Sequence, residues 1–227
     1  FPLHAKTEKD VVNTKSGDLE IYFIGHGTLM IKWKNKIIHI DPYGKVGNYS
    51  QLPKADLIIV THEHPDHFDL EAIKKITKQD TVIVYTKKCE DKLKGGIVMK
   101  NGDTKTIFDI KIEALPAYNV VHKRETGVPF HPKGEGNGYV LTFDNVRIYV
   151  AGDTENIPEM RELKNIDIAF LPMNLPYTMT PEMVKDAALM IKPKVLYPYH
   201  YGDTDPKRIA DLLKGFPEIE VRIRDMR

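Results

Sequence analysis

The stretch VTHEHPDHFD, residues 60–69, constrains this chain more than any other. It sets His62, His64, Asp66 and His67 within six residues, directly after the apolar run DLIIV (56–60) and ahead of a helical pattern. An unbroken apolar run of this kind reads as a strand covered on both faces. The loop at the end of such a strand is where a rigid scaffold presents reactive groups. His62 and His64 lie two apart in an extended segment, so their rings point the same way. Pro65 turns the chain, and Asp66 and His67 follow beyond it. Crowded imidazoles and carboxylates suit Zn, Mn or Fe. A polar surface loop has no need of three histidines in six residues, whereas one loop of this composition can feed two adjacent metal ions.

One loop cannot complete two sites, so later strand ends must contribute. Asp153 follows the apolar strand VRIYVA, Gly152 easing the turn, and its carboxylate is placed to bridge two metals. His200 ends the strand KVLYPYH in the same manner. The tripeptide Gly-Asp-Thr recurs at 102–104, 152–154 and 202–204, but the flanking apolar patterns differ, so the spacing is not a structural repeat.

Strands are expected at 19–24, 28–33, 36–40, 56–60, 81–85, 97–99, 104–108, 110–115, 138–143, 146–150, 166–171, 194–199 and 219–224. Helices are expected at 69–79, 87–94, 180–191 and 205–216, with Asp69 and Thr180 as N-caps. Asn101-Gly102 and Asp144-Asn145 read as hairpin turns. Strand-rich stretches with inserted helices occur in both halves, which predicts an α/β chain with two sheets face to face and helices outside. Residues 1–18 read as a polar N-terminal arm and 19–227 as one domain, since no Pro/Gly/Ser linker divides them.

With 33 Lys+Arg against 32 Asp+Glu, the net charge of +1 gives no global pull toward nucleic acid or an anionic membrane. No apolar run approaches the roughly 20 residues that span a bilayer. Cys89, the one cysteine, reads as a small buried hydrophobe in a helix. The chain starts with Phe1, which fits a removed export signal or a trimmed start, so cytoplasmic and periplasmic locations both stay open.

THEHPDH, the downstream AGDT, the strand end YPYHY and IGHGTLMIKW…IIHIDP together resemble the metallo-β-lactamase fold superfamily over about residues 19–204. Within it, the chain looks most like lactonases similar to the ascorbate-6-phosphate lactonase and like the N-acyl-phosphatidylethanolamine phospholipase D group. The resemblance implies a four-layer αβ/βα sandwich with the metal site at one edge of the two sheets. It implies that His62 and His64 bind a first metal, that Asp66, His67 and His200 bind a second, and that Asp153 bridges them. Asp41, in HIDP, matches an acid that supports the metal loop from behind. His26, in IGHGT, matches a motif at the mouth of the site, a structural histidine near a strand end being the other reading. The superfamily usually supplies a further histidine to the first metal, where this chain has Asn119 in LPAYNVV. His131, in the loop ahead of the strand at 138–143, is favoured as its replacement. His122, in VHKRET, reads as surface, and Asn119 as a weak ligand or a substrate contact.

The ligand set predicts a hydrolase. Two divalent metals, Zn first with Mn or Fe as alternatives, would share a hydroxide that attacks an ester, lactone or phosphodiester. Asp66 is expected to orient that hydroxide as well as to bind metal. Asn174 and Tyr177, in LPMNLPYTMTPE, are candidate substrate contacts, an ordinary strand-to-helix loop being the alternative, and Tyr118 and Tyr139 are weaker candidates. A small-molecule substrate is expected, a phosphorylated one among the options, and the oligomeric state stays open. A nuclease of the same fold is the alternative, although 227 residues at net charge +1 leave little room for an RNA-gripping arm. A non-catalytic metal-binding protein is another, and a redox member of the fold would normally bring a flavin domain.

Overall fold

The apolar runs form strands, and their hydrogen bonds divide them into two sheets that follow one another along the chain. The computed structural model describes residues 7–227. The first sheet contains β1 (Lys9–Thr14), β2 (Gly17–Gly25), β3 (Thr28–Trp33), β4 (Lys36–Ile40), β5 (Leu57–Ile59), β6 (Val82–Tyr85) and β7 (Ile97–Val98), in that spatial order. The second contains β8 (Thr104–Ile107), β9 (Ile110–Ala117), β10 (Gly136–Phe143), β11 (Val146–Val150), β12 (Ile168–Pro172), β13 (Val195–Tyr199) and β14 (Glu220–Val221), again in order. Each sheet begins with four antiparallel strands and continues with three parallel ones.

Strand alternation explains the continuous apolar run of β5. Leu57 and Ile59 face the core between the sheets, while Ile58 and Val60 face Ala72, Ile73 and Ile76 of α1 (Leu70–Ile76) and Cys89 of α2 (Lys87–Lys92). Aromatic rings cross between the sheets, Trp33 to Phe143 at 5.4 Å and Phe23 to Phe170 at 6.3 Å between centroids. On the far side, α3 (Pro181–Ile191) buries Val184, Ala187, Ala188 and Ile191, and α4 (Lys207–Leu212) buries Ile209. The layers are therefore helix, sheet, sheet, helix, the expected sandwich. Asp69 accepts from the Glu71 and Ala72 amides, and Thr180 from the Met183 amide, so both expected caps form.

Three expectations are corrected. Within the expected arm over 1–18, Lys9–Thr14 form β1, paired with β2 from Lys9↔Tyr22 to Thr14↔Gly17, and residues 1–6 lie outside the described residues. Its polar, half-exposed pattern is that of an edge strand, which hides it from a search for apolar runs. The helix expected over 205–216 shrinks to α4: Pro206 stands at its start without a capping side chain, and beyond Leu212 the chain continues in tight turns, with the Lys214 and Phe216 amides donating to the Asp211 and Leu213 carbonyls. The Asn101-Gly102 turn joins β7 to β8 and so crosses between sheets instead of closing a hairpin.

The sheets draw together at one edge. The Asn137 amide donates to the Thr61 carbonyl at 2.8 Å, and the Tyr139 hydroxyl donates to the Val60 carbonyl at 2.9 Å. Gly152 sits at φ +67, and a Cβ there would lie 2.9 Å from the Asn137 carbonyl oxygen, so only glycine fits this closure. Asp41, His62, Asp153, Asn174 and His200 all follow the carboxyl ends of β4, β5, β11, β12 and β13, where sheets of this kind carry their sites. Among the described residues no helix is long and apolar enough to cross a membrane.

Candidate metal centre

Two groups of potential ligands meet at this edge. His62, His64, His131 and Asp153 form one, and His26, Asp66, His67 and His200 the other; within each, one donor atom per residue lies within 4.8 Å of the rest. Asp153 stands between them. Its Oδ2 lies 3.1 Å from His131 Nε2 and 3.6 Å from His62 Nε2. Its Oδ1 lies 3.4 Å from His67 Nε2 and 3.5 Å from His200 Nε2. In the second group, Asp66 Oδ2 is 2.8 Å from His26 Nε2, 3.4 Å from His200 Nε2 and 3.6 Å from His67 Nε2.

Two buried carboxylates hold the rings in place. Asp41 accepts from the Thr61 amide at 2.7 Å, from Thr61 Oγ1 at 2.6 Å and from His67 Nδ1 at 2.7 Å. Because the Thr61 hydroxyl gives its proton to Asp41, it accepts from His62 Nδ1 at 2.9 Å. His62 and His67 therefore both carry a proton on Nδ1 and turn Nε2 toward the ligand groups. A third combination within ion-holding distance, Asp41 with His62 and His67, reflects this support, since both Asp41 oxygens already accept hydrogen bonds.

Glu155, wholly buried, does the corresponding work on the other wall. Its carboxylate accepts from the Val120, Val121 and His122 amides, each at 2.7 Å, and from Asn119 Nδ2 at 3.1 Å. Asn119 Nδ2 also donates to the Tyr177 carbonyl, which leaves its Oδ1 to accept from His131 Nδ1 at 2.7 Å and the His131 amide at 2.8 Å. That fixes the His131 proton on Nδ1 and aims Nε2 at Asp153. Asn119 is thus not at the cleft, where a weak ligand or a substrate contact would have to be; it is 4% exposed and lies behind His131. His131 joins the first group, whereas His122 turns its Nδ1 to Glu155 at 2.9 Å.

The protonation states suit a cation. Burial holds His62, His64 and His200 below the ordinary imidazole range, so they are neutral donors. Burial works against ionised Asp66 and Asp153, but the surrounding histidines outweigh it and keep both far below the usual carboxylate range. His67 is the exception. Burial opposes its charge, yet Asp153 and Asp41 together hold its pKa well above the usual value, so this position attracts positive charge. His62 Nε2 and Asp153 Oδ1 are buried without a hydrogen-bond partner, an arrangement that a bound cation satisfies. The donor set of imidazoles and carboxylates therefore fits a divalent transition metal.

A cleft of about 420 Å³ opens over these groups and reaches His64, Asp66, His131, Asp153 and His200. His26, Asn174 and Tyr177 line it as well. Tyr118 and Tyr139 do not, being committed to Glu159 and to the Val60 carbonyl respectively. Sequence reasoning missed Tyr43, Arg124 and Phe130 in the cleft wall. It also missed Glu155, whose only signal was an acidic residue two beyond Asp153.

Residues 20–200 match the family model described as the Beta-lactamase superfamily domain. The UPF0173 metal-dependent hydrolase of Thermococcus kodakarensis is 34% identical over 203 residues, covering 83% of this chain and 87% of the relative. A protein of Parabacteroides distasonis, whose crystal structure carries the description of a metal-dependent hydrolase, is 50% identical with a TM-score of 0.93, covering 98% of this chain and all of that one. A metallo hydrolase from Ignicoccus hospitalis shares the fold at 24% identity and a TM-score of 0.74, covering 91% and 95% of the two chains.

Proposed function

This chain belongs to the metallo-β-lactamase superfamily and is a metal-dependent hydrolase of the UPF0173 kind; from that premise we propose that it uses two divalent cations, one in each ligand group, to cleave an ester, lactone or phosphodiester bond of a small substrate. The observation that carries the reading is the split of Asp153, one oxygen toward His62 and His131 and the other toward His67 and His200. A carboxylate shared in this way suits a bridging ligand. Bound cations would supply Lewis-acid charge to the substrate oxygen and lower the pKa of a water between them.

The chain's own residues do the rest. Asp41 and Asn119 keep the His62, His67 and His131 rings in the tautomer that leaves Nε2 free to ligate. Asp66 faces the cleft with its Oδ2 fixed by His26. A carboxylate held so far below its ordinary pKa is a poor proton acceptor, so its work is to orient the attacking water. Asn174 and Tyr177, on the loop after β12, contact the substrate from the opposite wall.

Metal analysis after loading with Zn or Mn, together with a panel of one ester, one lactone and one phosphodiester, tests the reading. Two equivalents per chain and turnover of at least one substrate are expected. One equivalent or fewer, with no turnover of any substrate, would sink it.

A further inference from the structure

The cleft has one permanent positive charge in its wall. Arg124 is the only lysine or arginine among the lining residues. Lys133 pairs with Glu159 at 3.0 Å and Lys88 pairs with Glu135, while Lys123, the exposed neighbour of Arg124 on the same loop, does not line the cleft. Among the described residues no carboxylate pairs with Arg124; its guanidinium instead lies over the Phe130 ring, 5.1 Å from the centroid. Phe130 in turn packs edge-on against Tyr177, with centroids 5.1 Å apart. A guanidinium laid on an aromatic face is oriented while its donors stay free, the state suited to taking an acid in a forked pair.

The loop that carries Arg124 is held in shape. The Arg124 amide donates to the Val128 carbonyl and the Gly127 amide to the Arg124 carbonyl, both at 2.8 Å, and Lys123 bridges to Pro129. Glu155 ties down the chain just before it. Exposed apolar groups gather at the same place. Of seven exposed large apolar side chains among the described residues, Val120, Val121 and Val128 are on this loop, and Leu175 and Tyr177 on the facing one. Apolar surface concentrated at the rim of a cleft marks a binding surface rather than the scatter normal on a protein exterior.

We propose that the substrate is an acid with an apolar body, its carboxylate or phosphate group seated on Arg124 and its apolar part packed against Phe130 and Tyr177. The position of the scissile bond rests on the hydrolase reading above; the binding itself does not. Arg124 is then a specificity-determining residue.

Calorimetric titration of the Zn-loaded protein with phenyl phosphate, benzoate and neutral benzyl alcohol provides the test. The native chain should bind at least one of the two acids about tenfold more tightly than benzyl alcohol, and Arg124→Gln should remove that advantage while metal content stays unchanged. Arg124→Lys should keep part of it, and Phe130→Ala should weaken all three ligands. The acid that suffers more from Arg124→Gln identifies the group the site takes. Acids no tighter than benzyl alcohol, or acid binding indifferent to Arg124→Gln, overturn the proposal. A dimer that Val121→Asp dissociates, with acid binding indifferent to Arg124→Gln, overturns it too and assigns the rim to a second copy. Repeating the titrations after metal removal keeps the two readings apart. Arg124-dependent binding that survives in a protein with no turnover fails the hydrolase reading alone, and full metal content without Arg124 dependence fails this one alone.

Discussion

Asp41 and Glu155 hold corresponding places in the two halves of the molecule. Each follows the fourth strand of its sheet, each is wholly buried, and each gathers donors from the loop beside it. They differ in what they hold. Asp41 acts on the candidate ligand rings themselves, on His67 directly and on His62 through one hydroxyl. Glu155 acts on backbone amides and reaches His131 only through Asn119. One wall of the site is thus fixed side chain by side chain, and the other as a loop whose path is fixed first. The loop wall also carries Arg124 into the cleft, so on the proposal above its shape would serve recognition as well as ligation.

The sharpest way to break this comparison is Asp41→Asn. An amide nitrogen at Oδ2 would face the Nδ1 proton of His67 and push that ring into the wrong tautomer. The Thr61 relay to His62 would fail with it. Metal affinity should fall about 10- to 100-fold in both ligand groups, as for other partners behind metal-bound histidines. Denaturation should show a stability loss of about 3 kcal/mol from the broken buried pair. Unchanged metal affinity would mean that Asp41 is mere packing.

Glu155→Gln should do less, and on one side only. Each Glu155 oxygen accepts two N–H donors, so an amide in either orientation leaves two donors facing an NH₂ group. A stability cost of about 2 kcal/mol follows from those unpaired buried groups. Metal binding should weaken about tenfold in the His131 group and stay unchanged in the His67 group. Asn119→Ala isolates the last link: the same selective weakening with a smaller stability loss. Competition titrations with a chelator resolve the two affinities, and equal weakening of both groups would erase the distinction between the walls.

The same contrast decides what the sequence makes legible. The Asp41 wall is local. His62, His64, Asp66 and His67 lie on one loop, their spacing follows strand geometry, and β5 announces itself as a doubly covered strand. Asp153 and His200 are visible as polar residues ending apolar runs. The Glu155 wall is non-local. Among Asn119, His122 and His131, nothing in the residue types tells which one reaches Asp153, because the loop path depends on a carboxylate more than thirty positions away in sequence. Asn119 stands at the position expected for a ligand and instead holds the ring of the candidate ligand His131. Arg124 sits in VHKRET, whose charge reads as ordinary surface until Phe130 is seen beneath it. The matching order of strands in the two sheets was also invisible, since the halves share topology and not a residue pattern.

A third carboxylate, far from the site, sharpens the comparison by acting on the fold alone. Asp10, on β1, takes both oxygens to Arg224 Nη2 at 2.8 Å, accepts from the Tyr197 hydroxyl and has Arg222 at 3.7 Å. Partial burial works against its charge, but Tyr197 and Arg224 outweigh it and lower its pKa. A carboxyl whose pKa is lower in the folded chain stabilises that state above its unfolded value near 3.9, and the contribution fades as the pH drops through the folded value. Asp10→Asn should therefore cost about 1 kcal/mol at neutral pH, a figure kept low because the pair touches solvent. The gap between variant and native chain should begin to close as the pH falls below about 3.9, and metal content should not change. Should Asp10→Asn lower metal affinity as Asp41→Asn is expected to, general loosening of the fold would account for both, and the special place of Asp41 and Glu155 behind the ligands would be lost.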